Sequence, residues 1–390
     1  MENVFNTTHN RKNTSSVKWD FMTEKLGIDG DDLLPMWVSD YDFQTPPQVL
    51  NALSHRIEHG IFGYSERNDE YFDAFIHWYK NKHNVTIERD SIATIHGVLP
   101  GIALALQILT SQGDGIILQT PGYGSFANII QLNERKVIEN PLQHDDNGYT
   151  LNLEHLDSCL QQGAKAVLLC NPHNPIGRIW NYDEIEQIAI LCERYDAWLI
   201  SDEIWGDLTL PNYHYCSALR LPTRFHSRLI VATASSKTFG LSSLRISNFV
   251  IPNAKIHHLF LRKMSSLGLD VYNSLAMCAA TEAYKNGEIW LAELMTYVQN
   301  NLNYLNDFLT QTLPHITFNM PKAGYLVWLD CHSLNISDDE LQHRCTKAGI
   351  VPSMGYTFIQ GGSGYIRLNL GCPRDTLEKA CIRLALALAL

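Results

Sequence analysis

Several features are missing from this 390-residue chain, and each absence removes a class of function. It has no run of five Lys or Arg residues, and 30 basic against 41 acidic residues leave a net charge of −11. That sign repels phosphate backbones and anionic bilayers, so neither nucleic acid nor a membrane is expected as a partner. No apolar stretch approaches the roughly 18 residues that span a bilayer, and the polar segment up to Ser16 lacks the apolar region of a secretory signal. The nine cysteines are an odd number with no Cys-x-x-Cys pair, which argues against a disulfide framework and a zinc ribbon. A reducing cytoplasm is the expected compartment. The 16 histidines show no His-Glu-x-x-His spacing. His96, His173 and His214 are therefore read as structural, and no metal is expected.

What is present is a globular composition, 45% hydrophobic and 18% charged, in a chain long enough for one very large domain or two to three of roughly 150 residues. Short apolar runs at 92–95, 116–118, 166–169, 198–200, 229–232 and 248–251 read as buried strands. Most are followed by helical periodicity, as at 102–109 and 185–194. Strands buried on both faces imply an α/β fold with a mostly parallel sheet covered by helices. Past Ala276 the rhythm changes to a long helical segment at 288–313 and alternating strands at 325–329 and 365–370, a smaller α+β layer. The first 45 or so residues carry few periodic signals and read as an extended arm that enters a helix at 48–58. The expected division is an arm at 1–47 belonging to the small domain, a large domain at 48–280 and a small C-terminal domain at 281–390.

Ligands of open parallel sheets bind beyond the carboxyl ends of the strands. Four such ends carry polar residues: His96-Gly97-Val98-Leu99-Pro100-Gly101; Asn171-Pro172-His173-Asn174-Pro175-Ile176-Gly177-Arg178; Ser201-Asp202-Glu203-Ile204-Trp205; and Ser235-Ser236-Lys237-Thr238-Phe239 with Arg245 beyond. The first leaves free N–H groups at a helix start, suited to a phosphate. The second holds an Asn amide in a proline-braced turn. Each alone is an ordinary turn, cap or surface residue. Together they would meet in one cleft.

With these motifs the chain resembles the fold-type I pyridoxal 5′-phosphate (PLP) enzymes, the aspartate aminotransferase superfamily, over essentially its whole length. Pro35-Met36-Trp37-Val38-Ser39-Asp40 and Gly60-Ile61-Phe62-Gly63-Tyr64 make it most similar to the cystathionine β-lyase-like carbon–sulfur lyase branch. The resemblance implies that Lys237 carries the cofactor and acts as the base at Cα, and that Asp202 pairs with the pyridinium nitrogen. Asn174 would bond the ring's 3-oxygen, Tyr123 would stack on the ring, and Trp205 would also contact the cofactor. Gly97, Val98, Leu99, Ser236 and Arg245 would hold the phosphate, joined by Tyr64 of a neighbouring subunit in a homodimer. Arg367 would clamp the substrate α-carboxylate bidentately, with Trp37 and Asn174 also at the substrate. The implied activity is β-elimination from cystathionine-like or S-substituted cysteines, giving thiol, pyruvate and ammonia. Transamination and an unusual PLP reaction in a specialised biosynthetic pathway are the alternatives. The chain departs from the branch at Gly240-Leu241-Ser242-Ser243, at Trp205, where Tyr or His is common, and at Tyr41, where Met is usual; all of these are expected to line the substrate pocket.

Overall fold

Continuous apolar runs become strands buried on both faces, as the burial of every residue of Ile92–Ile95, Ala166–Cys170 and Leu229–Thr233 illustrates. In the computed structural model, which describes residues 4–30, 32–145 and 148–390, seven strands form the central sheet. They are β1 (Ile92–Ile95), β2 (Gly115–Thr120), β3 (Lys136–Pro141), β4 (Ala166–Cys170), β5 (Trp198–Asp202), β6 (Leu229–Thr233) and β7 (Ser247–Val250). The spatial order is β1-β7-β6-β5-β4-β2-β3. All run in one direction except β7, which is antiparallel to both β1 and β6. The edge strand β3 has no counterpart in the sequence pattern, because Lys136, Glu139 and Asn140 interrupt its apolar run. Only its end residues, Lys136 and Pro141, are exposed; Val137, Ile138 and Glu139 are partly buried and Asn140 is buried.

The covering helices start where their caps dictate. Pro47 occupies the first turn of Pro47–Glu58. Helix Tyr182–Arg194 opens on a reciprocal box, in which Asn181 Oδ1 accepts from Glu184 N at 2.9 Å and Glu184 Oε2 accepts from Asn181 N at 2.8 Å. Such a cap contributes about 1 kcal/mol. Helix Ser274–Asn286 packs on Pro47–Glu58 and Asp69–His83, beside the central sheet. Among the described residues no helix is long and apolar enough to cross a membrane.

A smaller antiparallel sheet follows, made of β8 (Leu326–Asp330), β9 (Ser353–Met354) and β10 (Tyr365–Asn369), with β10 in the middle. Helix Arg374–Leu388 packs against Glu288–Thr312 and Asp338–Lys347, and it and Asp338–Lys347 pack on the short strand Ile350–Val351 beside this layer. The first 45 residues are less extended than their sequence suggests: Val17–Asp20 and Met22–Leu26 are short helices. Their order comes from polar anchoring, to which hydrophobic periodicity is blind. The arm then pairs Leu34–Pro35 in parallel with Ile350–Val351. Asn369 straps it further, its N donating to Met36 O at 2.9 Å and its Nδ2 to the carbonyls of Val38 and Asp40, each at 2.6 Å.

Candidate active site

The carboxyl ends of β1, β2, β4, β5 and β6 open onto a cavity of about 670 Å³. The reversal of β7 brings the start of that strand, with Arg245 and Ile246, to the same rim. Gly97, at φ +109°, turns the chain from β1 into helix Val98–Leu109. No side chain caps that helix, so its first N–H groups face the cavity rim with the positive end of the helix dipole. Ser236 and the exposed Arg245 complete this corner; Arg245 Nη2 has the His96 carbonyl at 3.5 Å as its one partner among the described residues. It is a ready seat for a phosphate.

At the next strand end Asp202 is buried, and among the described residues its carboxylate accepts one hydrogen bond, from Ile204 N at 3.0 Å. Burial pushes its carboxyl up to about 7, against the pull of Ile204 N–H and Lys237. Lys237 donates from Nζ to Ser39 O at 2.6 Å and sits 5.8 Å above the Trp205 ring. Enclosure lowers its ammonium to about 8, and Arg367 adds to the effect while Asp40 and Asp202 oppose it. An amine in that range is neutral often enough to serve as nucleophile or base.

Arg367 lies at the centre of β10, opposite Trp328 and Ser353. It is buried, and among the described residues no carboxylate lies within ion-pair distance of it. It spends three of its five N–H donors inside the chain: Nη1 to Asn174 Oδ1 at 3.0 Å, and Nη2 to Trp37 O at 2.7 Å and Ser353 Oγ at 3.1 Å. Its Nε is buried without a partner. Burial lowers the guanidinium to about 10, and the Phe358 ring lies 4.8 Å from it. Because Asn174 gives its oxygen to Arg367, its amide N–H groups remain for the cavity.

The cavity wall thus gathers Gly97, Val98, Leu99, Tyr123, Asn174, Asp202, Trp205, Ser236, Lys237, Arg245, Trp37 and Arg367. Tyr64 is not among them; it is 98% exposed on the outer surface of the chain. Three expectations about the pocket are corrected. Tyr41, Gly240 and Leu241 do not line this cavity: Leu241 is buried in the core, and Tyr41 lies behind the lysine turn, its hydroxyl donating to the Lys237 carbonyl, with Thr238 O 3.1 Å away. Gly240, at φ +71°, faces it, and a β-carbon there would come within 3.1 Å of the Tyr41 ring. The two departures are neighbours, a large ring accommodated by a missing side chain. Ser242 and Ser243 do reach the cavity. Sequence reasoning missed the roles in the site of Ser39, which the arm carries within the Pro35–Asp40 motif, and of Ser353, Thr357 and Phe358, which the short strand β9 and the turn of 3-10 helix after it bring to the cavity without a motif of their own. His173 is structural: burial lowers it to about 4, and its ring bonds the Pro121 carbonyl at 2.7 Å.

The chain belongs to the aminotransferase class I and II family, whose model matches residues 31–384. Among curated relatives it is 35% identical to cystathionine beta-lyase PatB of Bacillus subtilis, over 99% of this chain and 100% of that one. It is 33% identical to protein MalY of Escherichia coli, over 96% of each. Among solved structures, cystalysin from Treponema denticola with its pyridoxal 5′-phosphate cofactor superposes with a TM-score of 0.95 at 32% identity, covering 100% of this chain and 99% of that one. The PLP-bound carbon–sulfur lyase of Staphylococcus hominis, complexed with the inhibitor L-cycloserine, gives 0.92 at 28% identity, covering 99% and 98%.

Proposed function

We propose that this protein is a PLP-dependent carbon–sulfur β-lyase that cleaves S-substituted cysteines or cystathionine-like amino acids to a thiol, pyruvate and ammonia. The residues present fit the cofactor. A helix start with Arg245 and Ser236 suits its phosphate, an under-bonded Asp202 suits its ring nitrogen, and a depressed Lys237 amine suits its aldehyde. When bound, PLP withdraws electrons from the α-carbon of an amino acid joined to it.

The rest is the work of this chain. Arg367 draws in the α-carboxylate, which supplies the counter-charge that its buried guanidinium lacks. Asn174, through its amide N–H groups, and Tyr123, through its ring, would hold the cofactor ring, and Asp202 would keep a proton on its nitrogen. Lys237, once free of the cofactor, would take the proton from Cα as a neutral amine; the Cβ–S bond breaks as the thiolate leaves and takes up a proton, and water hydrolyses the remaining three-carbon unit to pyruvate and ammonia. Around Arg367 the wall is Trp37, Phe358, Ser353 and Thr357, uncharged groups that tolerate a sulfur-bearing substituent.

The observation that carries this reading is that buried Arg367, with no counter-charge among the described residues, lines the same cavity as Lys237, in a chain whose relatives over full length include a cystathionine β-lyase. Borohydride fixation of the cofactor-loaded protein should label Lys237. S-substituted cysteines should then yield equal amounts of thiol and pyruvate. A label elsewhere, or 2-oxo acid without thiol, would overturn the assignment, the latter in favour of transamination.

The arm and residues 281–390 are read as one small domain against 48–280, a division supported by the pairing of Leu34–Pro35 with Ile350–Val351. A homodimer is supported by an exposed apolar face. Ile61 (68%), Phe62 (58%) and Tyr64 join Leu267 and Val271 through the Ser65–Tyr272 bridge. Tyr64 would reach the partner's phosphate. Light scattering that returned an active, PLP-loaded monomer would refute this. All nine cysteines are free, which supports a cytoplasmic setting.

A further inference from the structure

We infer that Tyr325 is a positioning residue for Lys237, acting through the backbone carbonyl of Ser39; the inference rests on Lys237 being the cofactor-bearing lysine. The Ser39 oxygen accepts from Lys237 Nζ at 2.6 Å and from the Tyr325 hydroxyl at 3.0 Å. A carbonyl has two lone pairs. With Tyr325 on one, a single direction remains for the amine.

The seat itself is held from both sides. Asn369 Nδ2 bonds the carbonyls of Val38 and Asp40, the residues flanking Ser39. The Tyr325 ring is 1% exposed and lies between Tyr41, at 4.6 Å, and Trp205, at 5.1 Å. Tyr41 in turn donates to the carbonyl of Lys237. One tyrosine therefore fixes the backbone of the lysine and the other fixes the place where its amine rests when detached. Burial raises both phenols well above their usual value, so they remain protonated donors wherever the enzyme is studied. The charged groups facing Lys237 are Asp40, Asp202 and Arg367; Tyr325 adds an O–H dipole whose positive end points at the same oxygen as the ammonium. That dipole disfavours the charged amine.

Tyr325→Phe removes the hydroxyl and keeps the ring stack. Two readouts are needed. In the cofactor-free protein, the pH midpoint for acylation of Lys237, followed by peptide mapping, should rise by about half a unit, because the ammonium loses an opposing dipole. In the loaded enzyme, kcat should fall about 10-fold with KM within about twofold, the pattern of a misplaced group rather than lost substrate binding. 3-Fluorotyrosine at position 325, nearly isosteric and a stronger donor, should move the midpoint in the opposite direction and covers the case in which the phenylalanine variant does not fold. An unchanged midpoint in both proteins overturns the inference, as does a loss confined to KM. If borohydride labels a lysine other than Lys237, the functional reading fails instead, and the two failures are told apart by that one peptide map.

Discussion

In the anchor of the N-terminal arm, Lys18 is fully buried and its Nζ lies 2.6 Å from Asp42 Oδ2. Asp42 Oδ1 also accepts from Arg11 Nη1 at 2.9 Å and Trp19 Nε1 at 3.0 Å, and Arg11 reaches Asp40 at 2.9 Å. Burial pushes the Asp42 carboxyl up, yet Lys18, Trp19 and Arg11 together hold it below the usual carboxylate range. Asp202, equally buried, has one backbone N–H, and there burial wins. Arg367 repeats the pattern with the opposite sign. Where charge serves the fold, the chain supplies every partner; at the cavity it withholds them, so that a ligand gains what the free protein lacks.

The comparison can be pressed hardest at Asp202. Asp202→Asn should retain the fold and lower kcat about 1,000-fold, since an amide cannot hold the ring proton. A loss under threefold in steady-state assays would show that the carboxylate is not kept in reserve. The same variant reports on pH. The folded pKa of about 7 lies above the ordinary 3.8, so between those values the folded protein holds a proton that the unfolded chain has released. This contribution to stability is present below pH 4 and is lost as pH rises toward 7. Melting of cofactor-free wild type should register that decline, and Asp202→Asn should flatten it.

Asp42→Asn probes the other side. It leaves Lys18 buried without a counter-ion and should cost about 3–5 kcal/mol of folding stability in denaturant titrations. The folded fraction should keep wild-type KM, because Asp42 lies outside the cavity. A loss below about 1 kcal/mol would erase the distinction between the two regions.

The central sheet was legible because strands buried on both faces are written as uninterrupted apolar runs. The glycine, asparagine, aspartate and lysine at its strand ends were legible because chemistry fixes their types. Direction was harder to read: nothing in the composition of Ser247–Val250 distinguishes an antiparallel strand from its parallel neighbours, although its reversal delivers Arg245. Edge strand β3 was lost to its polar residues. Tyr41 carried no signal of facing a backbone carbonyl instead of substrate. Ser39 contributes through its carbonyl, a group that every residue has, so no reading of side chains could select it.

Ser39 and Arg367 have one more thing in common. Arg367 sits in β10, and Asn369, two residues further along the same strand, grips the carbonyls of Val38 and Asp40, the residues on either side of Ser39. The carboxylate clamp and the resting place of the lysine amine are therefore held by neighbouring positions of one strand, Arg367 bonding the Trp37 carbonyl and Asn369 those of Val38 and Asp40, so a substitution that shifted β10 would displace both at once.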